Sequence, residues 1–179
     1  MFAYPLDDAL QLTLVAPRHG PDLFAAVDAN RTHLRQWHPW VDRTRSVNDS
    51  RGAIVAMQAA YHAGGQMQTA IYENHALVGM VGFNQIDAGN RLATLGYWLI
   101  ADAQGRGIVT RACRAYLAHG FDTLGLNRIE IRCGVDNERS RRVAERLGFS
   151  LEGILHDREW LYDHFIDHAI YGLKTPHAA

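Results

Sequence analysis

The sequence predicts an α/β fold of the α+β kind, in which strands lead and a strand–helix alternation follows around a mixed sheet. Three observations carry that expectation. Short runs alternate apolar and polar residues, as at Leu10, Leu12 and Leu14 and again at Ile129, Ile131 and Cys133, the period of two that a half-buried strand needs. Other stretches repeat their apolar residues every three or four positions, as helices do. The 179 residues also contain no internal repeat, low-complexity tract or Pro/Gly/Ser-rich linker. One domain spanning 1–179 is therefore expected, large enough to bury a core.

The elements follow in order. A first strand is read at Leu10, Leu12 and Leu14. From 21 to about 37, Leu23, Ala26, Val27 and Leu34 fall on one stripe and predict a helix. A second helix is expected over 49–62, ended by Gly64-Gly65. Three strands then form a meander, with turn signals at Asn74-His75 and Asp87-Ala88-Gly89-Asn90, the third strand covering 91–100. After a glycine loop, Val109, Ala112, Cys113 and Tyr116 make the apolar face of a helix. A strand over 128–135, a helix over 138–146 and two last strands over 149–161 and 164–173 complete the series, with 175–179 as a loose tail.

Composition narrows the function. A net charge of -1 and a pI near 6.8 lack the basic excess of a general nucleic-acid binder. Only Cys113 and Cys133 are present, too few for a disulfide framework, so a reducing cytoplasm is expected. The N-terminus carries Asp7 and Asp8 and no basic start, unlike a secretory signal. The longest apolar run, 76–83, is too short to span a bilayer. Ten histidines suggest metal, but His156, His164 and His168 form no H-E-x-x-H or Cys/His ligand set. No metal, membrane or nucleic-acid partner is expected.

The most informative segment is Gln104-Gly105-Arg106-Gly107-Ile108-Val109, between an expected strand and an expected helix. Two glycines let backbone N–H groups close on an oxyanion, and the helix adds its unsatisfied first-turn N–H groups and positive dipole end. A pyrophosphate suits such a site, although a tight strand-to-helix turn would use the same residues. A P-loop would need Lys-Ser or Lys-Thr after the glycines, and the chain's Lys174-Thr175 lies in the tail. A dinucleotide fingerprint would need a glycine at 110, where Thr stands.

The loop resembles the Q/R-x-x-G-x-G/A cofactor signature of the GNAT acetyltransferase superfamily, with Gln104 and Gly107 in matching places and Val109 at the final small-residue position. Gly96-Tyr97-Trp98-Leu99, Asp136-Asn137 with Ser140, and Leu147-Gly148-Phe149 with Glu152-Gly153 are similar to the RimJ/RimL branch. That branch holds ribosomal-protein N-terminal acetyltransferases and their relatives. Trp37-His38-Pro39-Trp40 is similar to the W-x-P-W segment of its N-terminal helical region. The likeness covers roughly 37–173 and is strongest to the RimL type, which acetylates an N-terminal serine.

The resemblance implies the GNAT fold, a mostly antiparallel mixed sheet splayed between its fourth and fifth strands, here 91–100 and 128–135, with acetyl-CoA as cosubstrate and its pantetheine in the cleft. Backbone groups near Leu99 and Ile100 would pair with the pantetheine amides, and an N–H there would polarise the thioester carbonyl. Gln104, Gly105, Arg106, Gly107, Ile108, Val109 and Thr110 would hold the pyrophosphate. Asn137 reads independently as a helix N-cap, and the resemblance adds a pantetheine contact. Glu159 is implied as general base acting through water, and Ser140 as the group that protonates or hydrogen-bonds the CoA sulfur. The superfamily's usual tyrosine acid is missing, because its position holds Ala144. A homodimer is implied as well.

Chemistry and periodicity leave several readings open. An α-amine, with a pKa of roughly 7.7–8.0 against about 10.4 for lysine, is partly neutral near pH 7 and needs only a modest base. Arg106, Arg111, Arg139, Arg141, Arg142 and Arg146 read either as solvated charge or as partners of CoA phosphates. Cys133 reads as core; if the strands splay beside the CoA sulfur, it could form a mixed disulfide with CoA. Trp37, Trp40, Tyr97 and Trp98 read either as core or as lining of the acceptor pocket, and because Tyr97 and Trp98 face opposite sides of their strand, they cannot both face the ligand. The leading acceptor is a protein N-terminus; the rivals are a small amine (polyamine, antibiotic or amino-acid conjugate) and a non-catalytic acyl-CoA sensor.

Overall fold

The computed structural model describes residues 3–175; most of the expected tail, 176–179, lies outside them. Eight strands form one sheet: β1 (Ala3–Pro5), β2 (Leu10–Leu14), β3 (Met67–Glu73), β4 (Ala76–Asp87), β5 (Leu92–Leu99), β6 (Arg128–Gly134), β7 (Ser150–Leu161) and β8 (His164–Lys174). Their order is β1-β2-β3-β4-β5-β6-β8-β7. Every pairing is antiparallel except β5 with β6. The helices are α1 (Gly20–Ala29), α2 (Arg31–Leu34), α3 (Val47–His62), α4 (Ile108–Ala118) and α5 (Glu138–Arg146). Among the described residues no helix is long and apolar enough to cross a membrane.

Two apolar cores lie on opposite faces of this sheet. Leu10, Leu12, Ile71, Val81, Phe83, Ile129 and Ile131 join Ile108, Ala112, Cys113 and Tyr116 of α4 in the larger one. Ala70, Tyr72, Leu77 and Met80 join Leu23 and Val27 of α1 and Ile54 of α3 in the other. The period-two alternation of the strands sends successive side chains to these two cores.

The sheet opens between β5 and β6. Their parallel ladder pairs only Leu92–Leu95 with Arg128–Ile131. Beyond it β5 stays with β4 as far as Gly79↔Leu99, and β6 stays with β8 as far as Gly134↔His168. Counted from Leu10 these are the fourth and fifth strands, as expected; the three-residue β1 adds one ahead of them.

One expectation fails. The single helix expected over 21–37 is broken at Asn30, whose φ of -121° and ψ of 20° leave the helical region. Its Nδ2 donates to Ala26 O (3.0 Å), competing with the helix ladder. Its Oδ1 accepts from Ala101 N (3.0 Å), just past the end of β5. The break turns α2 and the following Trp37-His38-Pro39-Trp40 segment toward the opened end of the sheet.

Candidate active site

After β5, a short turn at Ala101–Ala103 leads into Gln104-Gly105-Arg106-Gly107. Gly105 and Gly107 both lie in the left-handed region, with φ of 75° and 73°, which glycine adopts without strain. A Cβ added at either would meet nothing within 4 Å, so the space over the loop is open. Gly107 caps α4 and has no side chain to satisfy its first-turn amides. Those of Ile108, Val109 and Thr110 are therefore left without a side-chain cap at the positive end of the helix. Thr110 is buried, and its Oγ1 accepts from Arg146 Nη1 (3.2 Å).

The Gln104 side chain bridges the mouth of the opening. Its Nε2 lies 2.9 Å from His33 Nε2 on α2, and its Oε1 accepts from Arg139 of α5. Arg139 and Arg146 thus reach the loop from α5. Arg106 pairs with Glu73, and Arg111 lies 3.6 Å from Asp7. Arg141 instead donates to Tyr171 Oη and Val135 O, and Arg142 pairs with Glu138 on its own helix, so these two turn to structural partners.

The edge of β5 needs one refinement. Ile100 N donates to Val78 O (2.9 Å), which makes Gly79↔Leu99 a pair whose own backbone groups point away from β4. The cleft-facing N–H and C=O at this end belong to Leu99, and the Ile100 N–H is already taken.

On the larger core's face, Tyr97 extends from β5 to α5, its Oη 3.0 Å from Ser140 Oγ and 3.2 Å from Ser140 O. Asn137 caps α5 as expected, its Oδ1 accepting from Ser140 N (3.1 Å). Cys133 is buried, and its thiol is pushed up by burial while Ser140 pulls it down as a hydrogen-bond partner.

On the other face, Gly134↔His168 and Glu159↔Ile166 share one side of the β6-β8-β7 ladder. Glu159 Oε2 lies 3.3 Å from His168 Nε2, both side chains partly exposed. Trp37 covers Gly134, where a Cβ would come within 3.3 Å of its ring. Trp98 packs on this side with Trp40, ring centroids 6.0 Å apart, so Tyr97 and Trp98 diverge as expected. His38, beside Trp40, is pulled down to about 4 by burial, against the opposing influence of Glu159. An open groove of about 410 Å³ runs along this side between Arg35, Trp37, Asp136, Tyr162 and Ile166. Among the described residues no group of three or more His, Cys, Asp or Glu side chains could hold a metal ion.

Sequence reasoning weighed His168 only as a metal ligand and did not single out His38. The two-residue turn between Leu161 and His164 was the available signal for His168, since it puts Glu159, Ile166 and His168 on one face. His38 reaches the same place through tertiary packing alone.

An acetyltransferase (GNAT) domain profile matches residues 10–150. The chain belongs to the GNAT acetyltransferase family. Among relatives of this acetyltransferase, the ribosomal-protein-serine acetyltransferase of Escherichia coli K12 is 34% identical over 166 residues, covering 93% of each chain. RimL, a ribosomal alpha-N-protein acetyltransferase solved with coenzyme A in disulfide linkage to a cysteine, superposes with a TM-score of 0.92 at 29% identity, covering 97% of this chain and 98% of that one. The microcin self-immunity acetyltransferase MccE, solved with acetyl-CoA and AMP, gives 0.89 at 30% identity and 94% coverage of both. The protein is an acetyl-CoA-dependent acetyltransferase of the RimL-like type.

Proposed function

We propose that this acetyltransferase, working as one domain, modifies the N-terminal α-amine of a protein, a ribosomal protein by analogy with the relative that matches it across 93% of its length. The observation that carries the reading is the division of the opened sheet into two faces. Glu159 stands with His168 on the side bearing the open groove, and Ser140 stands with Tyr97 on the other. An amine arriving from the face that bears Glu159 meets a carboxylate; a thiolate leaving on the far side meets a hydroxyl.

In this reading the loop amides of Gly105 to Thr110, with Arg106, Arg139 and Arg146 nearby, hold the pyrophosphate, and Leu99 and Asn137 hold the pantetheine. The Leu99 N–H polarises the thioester carbonyl. Glu159 takes the amine's proton through water, nitrogen attacks the carbonyl carbon, and the electron pair of the C–S bond leaves with sulfur toward Ser140. Cys133 beside Ser140 supports a sulfur position there, since RimL was solved with coenzyme A disulfide-bonded to a cysteine.

The cytoplasm suits a ribosomal substrate and two free cysteines. A homodimer is supported by the outer hairpin, where Leu151, Ile154, Trp160 and Phe165 are 44–56% exposed on one face, apolar surface that an isologous partner would cover. The experiment is a thiol-release assay with acetyl-CoA across peptides beginning Ser, Ala and Met and a panel of small amines. Release with Ser or Ala peptides supports the proposal. Release only with small amines transfers it to the small-amine reading, and tight binding without release in any case favours a sensor.

A further inference from the structure

Ser140 has one hydrogen to give and two lone pairs to fill, and a serine in the first turn of a helix is free to spend that hydrogen on nearby backbone. Here the hydroxyl is not left to itself. Ser140 N is fixed by the Asn137 cap, and Tyr97 reaches across the opened end of the sheet to place its Oη 3.0 Å from Ser140 Oγ and 3.2 Å from Ser140 O. These two distances suit a three-centre bond in which the phenol hydrogen points between both serine oxygens. That arrangement fills one of the two acceptor positions of Oγ and leaves the serine hydrogen free of Tyr97, available to a sulfur. The neighbouring sulfur is that of Cys133, so the hydroxyl already sits in surroundings where it donates to sulfur.

We propose that Tyr97 is the positioning residue for thiol departure, holding the Ser140 hydroxyl so that its hydrogen points at the CoA sulfur. The inference rests on Ser140 serving that sulfur. When the C–S bond breaks, its electron pair goes to sulfur, which accepts the Ser140 O–H hydrogen bond and takes its proton from water on release. The amine's proton has left through Glu159 and water, so charge and protons balance. Tyr97 keeps its own proton, because burial raises the phenol above its ordinary range, and a buried phenolate would be costly. The tyrosine therefore acts through the serine and not as a relay.

The test is a double-mutant cycle on the full chain, reading kcat, acetyl-CoA affinity and melting temperature. Tyr97→Phe keeps the ring in its packing and should lower kcat by about tenfold, with acetyl-CoA affinity changed less than about twofold. Ser140→Ala should cost at least as much, and the double variant should be no slower than Ser140→Ala alone. Fluorotyrosine at position 97, which keeps both ring and donor, should restore the rate even if the Phe variant folds poorly. Equal losses from Tyr97→Phe with and without Ser140 would overturn the proposal, as would an unchanged kcat in Tyr97→Phe while Ser140→Ala is slow. An unchanged kcat in Ser140→Ala would overturn it together with the serine assignment beneath it.

Discussion

Glu159 lies near enough to His38 to act on it electrostatically, but the two differ in their surroundings. Glu159 remains partly open to solvent beside His168, where a carboxylate can trade protons with water. Glu159→Gln should cut kcat by about 100-fold, the scale of a lost general base, while leaving acetyl-CoA affinity nearly unchanged. Equal losses in both would remove the assignment. His38 is pulled down to about 4 by burial, from about 6.5 in an unfolded chain. Both states are neutral above that upper value, so no pH effect arises there. As pH falls from 6.5 toward 4 the unfolded chain gains the proton first, and folding stability drops by up to about 3 kcal/mol. Thermal melts over that range should be flatter for His38→Gln than for the parent; parallel curves would contradict it. The His38 effect was not legible beforehand, because the contacts that shelter His38 join segments more than a hundred residues apart, as in the Tyr162 Oη bond to His38 O.

At the scale of elements, the glycine loop was the most legible part of the chain. The function proposed for it depends mainly on backbone, and glycine between a strand and a helix announces backbone chemistry directly. Gly107→Val would force a branched residue into φ of 73° and put a side chain into the open space over the loop. The expected result is acetyl-CoA affinity weakened by about tenfold or more, against a smaller loss in melting temperature; unchanged affinity by calorimetry would argue against phosphate binding here. The strand β6 was equally plain, since Ile129, Ile131 and Cys133 alternate without interruption and end up buried. The first helix was not. Its apolar stripe continues through Leu34, and only Asn30, by reaching Ala101 seventy-one positions away, breaks it. A stripe records what faces the core and is blind to a side chain that leaves the helix to bind elsewhere.

For the whole molecule, the β3-β4-β5 meander was readable from its hairpin turns, whereas the insertion of β8 between β6 and β7 and the character of the outer surface were not. β7 lies at the sheet edge and is exposed along most of its length, yet its sequence carries apolar residues on both faces. Trp160 and Phe165 pack edge-to-face on each other at 4.8 Å and remain over half exposed. Replacing both with Glu should convert the proposed dimer to monomer in sedimentation velocity, with the melting temperature of the monomer unit little changed; an unaltered sedimentation coefficient would exclude this face.

The Gln104 side chain, held at once by His33 of α2 and Arg139 of α5, has a thermodynamic consequence. Any rearrangement that acetyl-CoA imposes on this glutamine alters the helix bordering the acceptor groove. Linkage makes such an influence mutual: if the cofactor changes acceptor affinity by some factor, the acceptor changes cofactor affinity by the same factor. If acetyl-CoA moves this glutamine, the enzyme's two substrates would sense one another before any bond is made, and titrating acetyl-CoA with and without an acceptor peptide would show it as a shift in affinity.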